Sequence, residues 1–154
     1  MIPLLAQIPC ALLATFGFCI IFNVPTQKFP ICAIIGALSW MSYQAFIYMG
    51  LSQVFAAFIS SCIVWLLSNI CSRLFKETST MFIIPGILCL VPGSGMYYTM
   101  LAMLHHDIEA TASTGTVTLM VAGAIAAGLL AMGSVMGVII LFINRVKSIM
   151  RKQR

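Results

Sequence analysis

The chain has 154 residues, of which 62% are apolar and only 7% are charged. A soluble domain carries about 25% charged residues, and a core this small could not hide so much apolar surface from water. The composition therefore excludes a soluble globular protein, a disordered chain and a disulfide-built miniprotein. It predicts a small polytopic membrane protein.

The net charge of +5 does not indicate nucleic-acid binding, because five of the eight basic residues fall in the last ten positions, after an apolar run. A basic tail of this kind, at 145–154, is typical of a topology signal or a contact with anionic lipids of the bilayer. The six cysteines form no CxxC pair and lie in or beside apolar runs. They predict small buried residues, so we expect no metal site and no cofactor.

Five apolar runs along the chain are each long enough for the about 20 residues that a spanning helix needs. A break with two prolines at 23–30 ends the first run, and a polar loop at 73–80 ends the third. Residues 31–72 carry no charge, and one helix of that length would be about twice as long as the hydrocarbon core is thick, so they predict two spans. The predicted fold class is all-α, a polytopic membrane helix bundle forming one domain over 1–154, with spans at about 2–22, 31–49, 53–72, 81–104 and 114–143.

The distribution of charge predicts how these spans are oriented. With the N-terminus outside, the segments 23–30, 73–80 and 145–154 lie inside and hold all eight basic residues. The outer loop at 105–113 then holds both histidines and two of the three acids, with no Lys or Arg. Because basic residues concentrate in cytoplasmic loops, the sequence predicts an outside N-terminus and a cytoplasmic C-terminus.

The fourth apolar run contains Pro85-Gly86 and Pro92-Gly93-Ser94-Gly95. Proline removes a backbone donor within a helix and glycine adds freedom, so this run predicts a broken helix with halves near 81–91 and 96–104. Transporters use such breaks to bind substrate, with an anion at the positive end of the second half. Either the break lines a cavity, or it is a proline kink packed against its neighbours. The candidate substrate-pathway residues are Pro85, Gly86, Pro92, Gly93, Ser94, Gly95, Tyr97, Tyr98 and Thr99.

The segment after this run, His105-His106-Asp107, has two interpretations: a gate or proton relay, or a solvated outer loop. No ionisable acid or base lies inside a span, whereas a proton-coupled pump usually carries a carboxylate there. Coupling would therefore need backbone sites, these histidines or another subunit.

Small residues in the fifth run predict close helix packing, either inside the bundle or at an interface between subunits. The partner at such an interface could be a second copy of this chain, in a homo-oligomer. The glycines concerned are Gly123, Gly128, Gly133 and Gly137. Polar residues elsewhere in the spans fit either interhelical hydrogen bonds or the lining of a pathway; they are Gln44, Ser60, Ser61 and Asn69.

Three stretches together resemble a known family: Phe22-Asn23-Val24-Pro25, the segment 84–95 with its two Pro-Gly pairs, and Tyr97-Tyr98-Thr99-Met100. They resemble the threonine/serine exporter family, specifically the small subunit that corresponds to the C-terminal membrane half of fused exporters. The resemblance covers about 16–145. It puts the family's proline–glycine element on Pro85, Gly86, Pro92 and Gly93, and its tyrosine on Tyr97 or Tyr98.

This resemblance implies a bacterial inner-membrane exporter of small carboxylate-bearing substrates. Threonine and serine are the named substrates, and some two-subunit members are associated with succinate export. It also implies a larger partner subunit with the other membrane half. The rival functions are a non-transporting scaffold or regulatory subunit and a channel. No nucleophile–base pair, phosphate loop or metal motif points to an enzyme.

Overall fold

The computed structural model describes the backbone of residues 4–152 and the side chains of residues 7–138. Within these residues the chain forms six α-helices, one three-residue 3-10 turn (Thr26–Lys28) and no strand, which confirms the all-α class. The helices are α1 (Leu4–Ile21), α2 (Phe29–Tyr48), α3 (Gln53–Phe75), α4 (Thr80–Leu88), α5 (Gly93–Leu104) and α6 (Ile108–Lys152).

Three helices are long and apolar enough to cross a membrane: α2 with its preceding turn, α3, and the described part of α6, Ile108–Val138. The pair α4 and α5 passes the same test together, as one broken span bent by 50°. Among the described residues this gives three or four candidate spans. The predicted span at 2–22 extends beyond the described side chains, and its described part, Gln7–Ile21, is shorter than a span. The count of five spans therefore stays a prediction.

Helix α4 forms the centre of the bundle, packed against α1, α2 and α3. Its side chains of Phe82 and Pro85 are fully buried. Gly86 permits this packing, because a Cβ there would lie 2.9 Å from Ile35 Cγ2 and 3.3 Å from Val64 Cγ1. The α4 half of the broken run is thus a packed element of the core.

The break between α4 and α5 falls at 89–92, so the predicted halves near 81–91 and 96–104 have wrong inner boundaries. Pro92 precedes the first turn of α5, where a missing N–H costs little. Pro85 stays inside α4 although it cannot donate to the Met81 carbonyl one turn earlier. The Cys32 thiol of α2 contacts that carbonyl instead, at 3.8 Å. A tertiary contact therefore lets the helix continue through its first proline.

The two ends of the bundle differ in charge. Lys28, Arg73 and Lys76 lie at one end, where the Lys28 ammonium sits 4.3 Å from the centre of the Phe75 ring. We call this the basic end. The α2–α3 turn and the α5–α6 turn lie at the opposite end, which carries Asp107 and Glu109.

Helix α6 is longer than the predicted span at 114–143. It begins six residues earlier because the Asp107 carboxylate accepts a hydrogen bond from the Ala110 N–H at 3.0 Å, which satisfies one free amide of the first turn. Its backbone continues to Lys152. The side chains of the predicted basic tail at 145–154 lie outside the described residues.

Candidate functional site at the helix break

A cavity of about 700 Å³ opens beside the break between α4 and α5. One wall is the break itself, residues 89–95. The facing walls come from α2, the start of α3 and the first turns of α6; their residues are Trp40, Tyr43, Gln53, Ser113, Thr114, Val117, Thr118 and Val121. We call this space the break cavity. It favours the first of the two interpretations of the break, since a simple packed kink would leave no such space.

The start of α5 gives the break cavity its polar character. The Gly93 N–H donates to the Val91 carbonyl at 2.7 Å, and the Met96 N–H donates to the Pro92 carbonyl at 3.1 Å. No side chain caps this helix start. The amides of Ser94 and Gly95 are therefore left for water or a solute, because the first amides of a helix have no acceptor within the helix. Their end of α5 also carries the positive part of the helix dipole.

Four of the nine candidate pathway residues line the break cavity: Pro92, Gly93, Ser94 and Gly95. Pro85 and Gly86 are instead buried in the α4 packing on the side of the basic end. Tyr97 and Tyr98 are exposed, with their rings edge to face at 5.5 Å. Thr99 faces α6, and its hydroxyl donates to the Gly95 carbonyl at 2.7 Å. The structure therefore brings together only the second Pro-Gly pair and the two residues that follow it.

Helix α4 lies between the break and the basic end. There α4 fills the space among α1, α2 and α3, and the buried residues Phe82, Val64 and Leu90 belong to one apolar cluster. Toward the opposite end the walls are the hydroxyls of Ser113 and Thr114 and the carboxamide of Gln53. None of the residues that line the cavity carries a formal charge.

The candidate relay residues lie away from this cavity. His105 ends α5, whose 12 residues extend about 18 Å from the break. His106 has a left-handed backbone (φ 57°), and both histidines are exposed. Asp107 caps α6 as described above. A gate or relay role for the three stays a prediction, and Asp107 has a structural role independent of it.

A family model described as "Threonine/Serine exporter, ThrE" matches residues 7–135. The chain belongs to the threonine/serine exporter family. The resemblance carried by the two Pro-Gly pairs and the tyrosines is thereby confirmed, and the break cavity lies within the matched residues.

A curated relative of this exporter-family chain is an uncharacterized protein of Haemophilus influenzae, 29% identical over 108 residues. The matched region is 69% of this chain and 36% of the relative, so the chain spans about a third of the relative's length. No solved structure matches the chain.

The exporter-family chain packs α5 and α6 through two reciprocal glycine–threonine pairs. A Cβ at Gly95 would lie 3.3 Å from Thr118 Cγ2 on α6, and one at Gly115 would lie 3.2 Å from Thr99 Cγ2 on α5. These glycines let the two helices approach closely. Since α5 packs against no other described helix, the pairs hold the second half of the broken span in place.

The four glycines predicted for helix packing divide into two pairs. Gly128 and Gly133 face α3, where a Cβ at Gly128 would lie 2.7 Å from the Phe58 carbonyl and one at Gly133 would lie 3.5 Å from Trp65 Nε1. Gly123 and Gly137 have no atom within 4 Å of such a Cβ. Gly128 and Gly133 therefore allow α6 to pack closely against α3 inside the bundle. Gly123 and Gly137 are not covered by any described part of the chain.

Sequence reasoning missed the hydroxyls that α6 contributes to the break cavity. Thr114 and Thr118 are four residues apart and so share one helix face, which is a readable signal. The sequence does not show which helix this face packs against, and the structure shows that it is α5. Ser113 and Gln53 gave no comparable signal.

Proposed function

We propose that this chain is a membrane subunit of a secondary exporter of small amino or organic acids, and that the break cavity is its substrate pathway. The observation that carries the proposal is the break cavity itself. It is a space large enough for a small metabolite, walled by an interrupted span, in a chain of the threonine/serine exporter family.

The chemistry of the break cavity suits a carboxylate-bearing solute. The amides of Ser94 and Gly95, at the positive end of α5, would donate to the carboxylate. The hydroxyls of Ser94 and Thr114 supply further donors and acceptors, and Thr118 supplies an acceptor, since its own proton is donated to the Thr114 carbonyl at 2.7 Å. Because the lining is uncharged, a zwitterion such as threonine or serine needs no extra counter-charge, whereas a dicarboxylate such as succinate needs cations from a partner or a coupling ion.

Export by alternating access then requires a change at α4. In this structure α4 is packed between the break and the basic end, which the charge distribution predicts to be cytoplasmic. A solute would enter from that side only after α4 shifts from its packed position among α1, α2 and α3. The break at 89–92 allows α4 to move relative to α5, since no helical hydrogen-bond ladder joins the two halves.

A larger membrane subunit is part of the proposal. The matched region is about a third of the relative's length, so most of the relative is not matched by this chain. We propose that a separate, larger chain supplies that remainder in the bacterial inner membrane. It would also supply the charged groups that the break cavity lacks.

The test is efflux from cells loaded with labelled threonine, serine and succinate. The arms are this chain alone, its larger partner alone, and both together, with membrane insertion checked in each. Efflux of one of these solutes only in the combined arm supports the two-subunit exporter and names the substrate. No efflux of any solute, with both chains inserted, contradicts it.

A scaffold or regulatory subunit is the second candidate, favoured by the uncovered face of α6 around Gly123 and Gly137. The two candidates differ in whether water reaches the break. In a variant without native cysteines, Ser94→Cys should react with a water-soluble thiol reagent if the break lines a pathway. An unreactive Ser94→Cys would favour the scaffold.

A further inference from the structure

A second cavity, of about 460 Å³, lies between α1 and α2. Its lining residues are Gln7, Cys10, Ala11, Ala14, Trp40, Gln44 and Cys89. Trp40 and Cys89 also line the break cavity. These two side chains are therefore the shared wall of the two spaces, and we call them the partition.

Both partition residues are hydrogen-bonded to α1. The Trp40 indole N–H donates to Gln7 Oε1 at 3.0 Å, and the Cys89 sulfur lies 3.0 Å from the fully buried Thr15 hydroxyl. The Trp40 ring also packs against Tyr43, with ring centres 5.7 Å apart. The two partition residues are thus fixed in place by contacts with α1, and Trp40 also by a contact within α2.

The second cavity also contains polar groups. Gln7 Oε1 accepts a further hydrogen bond from Gln44 Nε2 at 2.7 Å. Two carboxamides are costly inside an otherwise apolar segment, so groups of this kind commonly mark the path of a polar solute. As in the break cavity, none of the lining residues carries a formal charge.

We propose that the second cavity is a second binding station for a small zwitterionic or uncharged polar solute, and that Trp40 separates it from the break cavity. A solute would pass between the stations when the Trp40–Gln7 hydrogen bond breaks and the indole turns away. This rests on the proposed function in one respect, namely that the break cavity receives the solute first. Gln7 Oε1, released by Trp40, and the Gln44 carboxamide would replace the hydrogen bonds that the solute loses on leaving the residues of α6.

The test uses Cys10, an exposed residue that lines only the second cavity, as the single cysteine of the full chain. Cys89 and Cys32 are replaced by serine in every version, so that a hydroxyl keeps the hydrogen bonds to Thr15 and to the Met81 carbonyl. Its rate of reaction with a charged, water-soluble thiol reagent is compared in the Trp40 parent, Trp40→Phe and Trp40→Ala. We expect a several-fold rise in Trp40→Ala and a smaller one in Trp40→Phe, which keeps a ring but loses the indole N–H. Adding Gly93→Leu, which fills the break cavity, should cancel the rise.

A single-cysteine version that keeps Cys62 serves as the control, since Cys62 lies at the α3–α6 contact, 3.5 Å from the Gly128 carbonyl. Its rate should not change with Trp40→Ala if the fold is intact. A Cys10 rate that does not respond to Trp40→Ala, or a rise that persists with Gly93→Leu, would overturn the second station. If Ser94→Cys still reacts in either case, the break cavity and the proposed function remain, so the two failures are distinguishable.

Discussion

Gly93 and Gly95 are two positions apart at the break, yet their surroundings differ. A Cβ at Gly93 would meet no atom within 4 Å, whereas one at Gly95 would press on the Thr118 side chain. A side chain at 93 therefore enters the break cavity without disturbing the helices. A side chain at 95 would separate α5 from α6 and change the packing as well as the cavity.

Replacing Gly93 with Leu should abolish most of the efflux while leaving the amount of inserted protein unchanged, because the new side chain occupies the break cavity. Gly17→Leu is the matched control, since Gly17 on α1 also has no atom within 4 Å of an added Cβ and lines neither cavity. Efflux and membrane content are measured together. Normal efflux by Gly93→Leu would show that the break is not part of the substrate pathway.

At the level of elements, α3 and α6 form the most extensive packing between any two described helices. This packing depends on close approach of the two backbones. Gly128 lies where α6 approaches the Phe58 carbonyl, and the Cys62 thiol donates to the carbonyl of Gly128 itself. Gly123, one and a half turns earlier, is exposed on the other side of the same helix. Glycine thus permits helix packing at 128, whereas at 123 it contacts no described part of the chain.

Gly128→Ala should lower the stability of the protein in detergent by about 1–3 kcal/mol, because its Cβ would lie 2.7 Å from a carbonyl that cannot easily move. Gly123→Ala should leave stability equal or raise it by up to about 1 kcal/mol, since alanine loses less entropy in a helix. Thermal unfolding of the two purified variants gives the comparison. A larger loss in Gly123→Ala would mean that a partner or second copy covers this face.

The share of the structure that could be predicted from the sequence also differs between elements. The break was predictable because proline and glycine act on their own backbone, and only its boundaries were wrong. The contact of Met81 with Cys32, which carries α4 through Pro85, joins positions 49 residues apart and leaves no local pattern. For the same reason the bond from Trp40 to Gln7 could not be anticipated. The shared face of Thr114 and Thr118 could be read from their spacing, but not that it faces the break.

For the whole molecule, the structure gathers Lys28, Arg73 and Lys76 at one end and Asp107 and Glu109 at the other, as the charge argument requires. The orientation with the basic end in the cytoplasm rests on the positive-inside rule and stays a prediction. The packed α4 would then lie between the break cavity and the cytoplasm. The structure would represent the state after a solute has passed α4.

A reporter that is active only in the cytoplasm tests this orientation. Inserted after Glu77, between α3 and α4, it should be active; inserted after His106, between α5 and α6, it should be inactive. A second reporter, active only outside, should give the reverse result at the same two sites. The opposite pattern for both reporters would show that the bundle has the inverted orientation, with the basic end outside.

The lengths of α4 and α5 have a consequence for membrane voltage. Their 9 and 12 residues measure about 14 Å and 18 Å, so a bent span built from them sets the break near the middle of a hydrocarbon core of about 30 Å. A solute bound there has crossed about half of the electric field. Each unit of net charge on it then contributes about 1.2 kcal/mol per 100 mV, roughly 50-fold in occupancy for a dianion and nothing for a zwitterion. Efflux measured while the voltage is clamped with potassium and an ionophore should therefore respond steeply for succinate that moves without a cation and stay flat for threonine or serine that moves without a coupling ion.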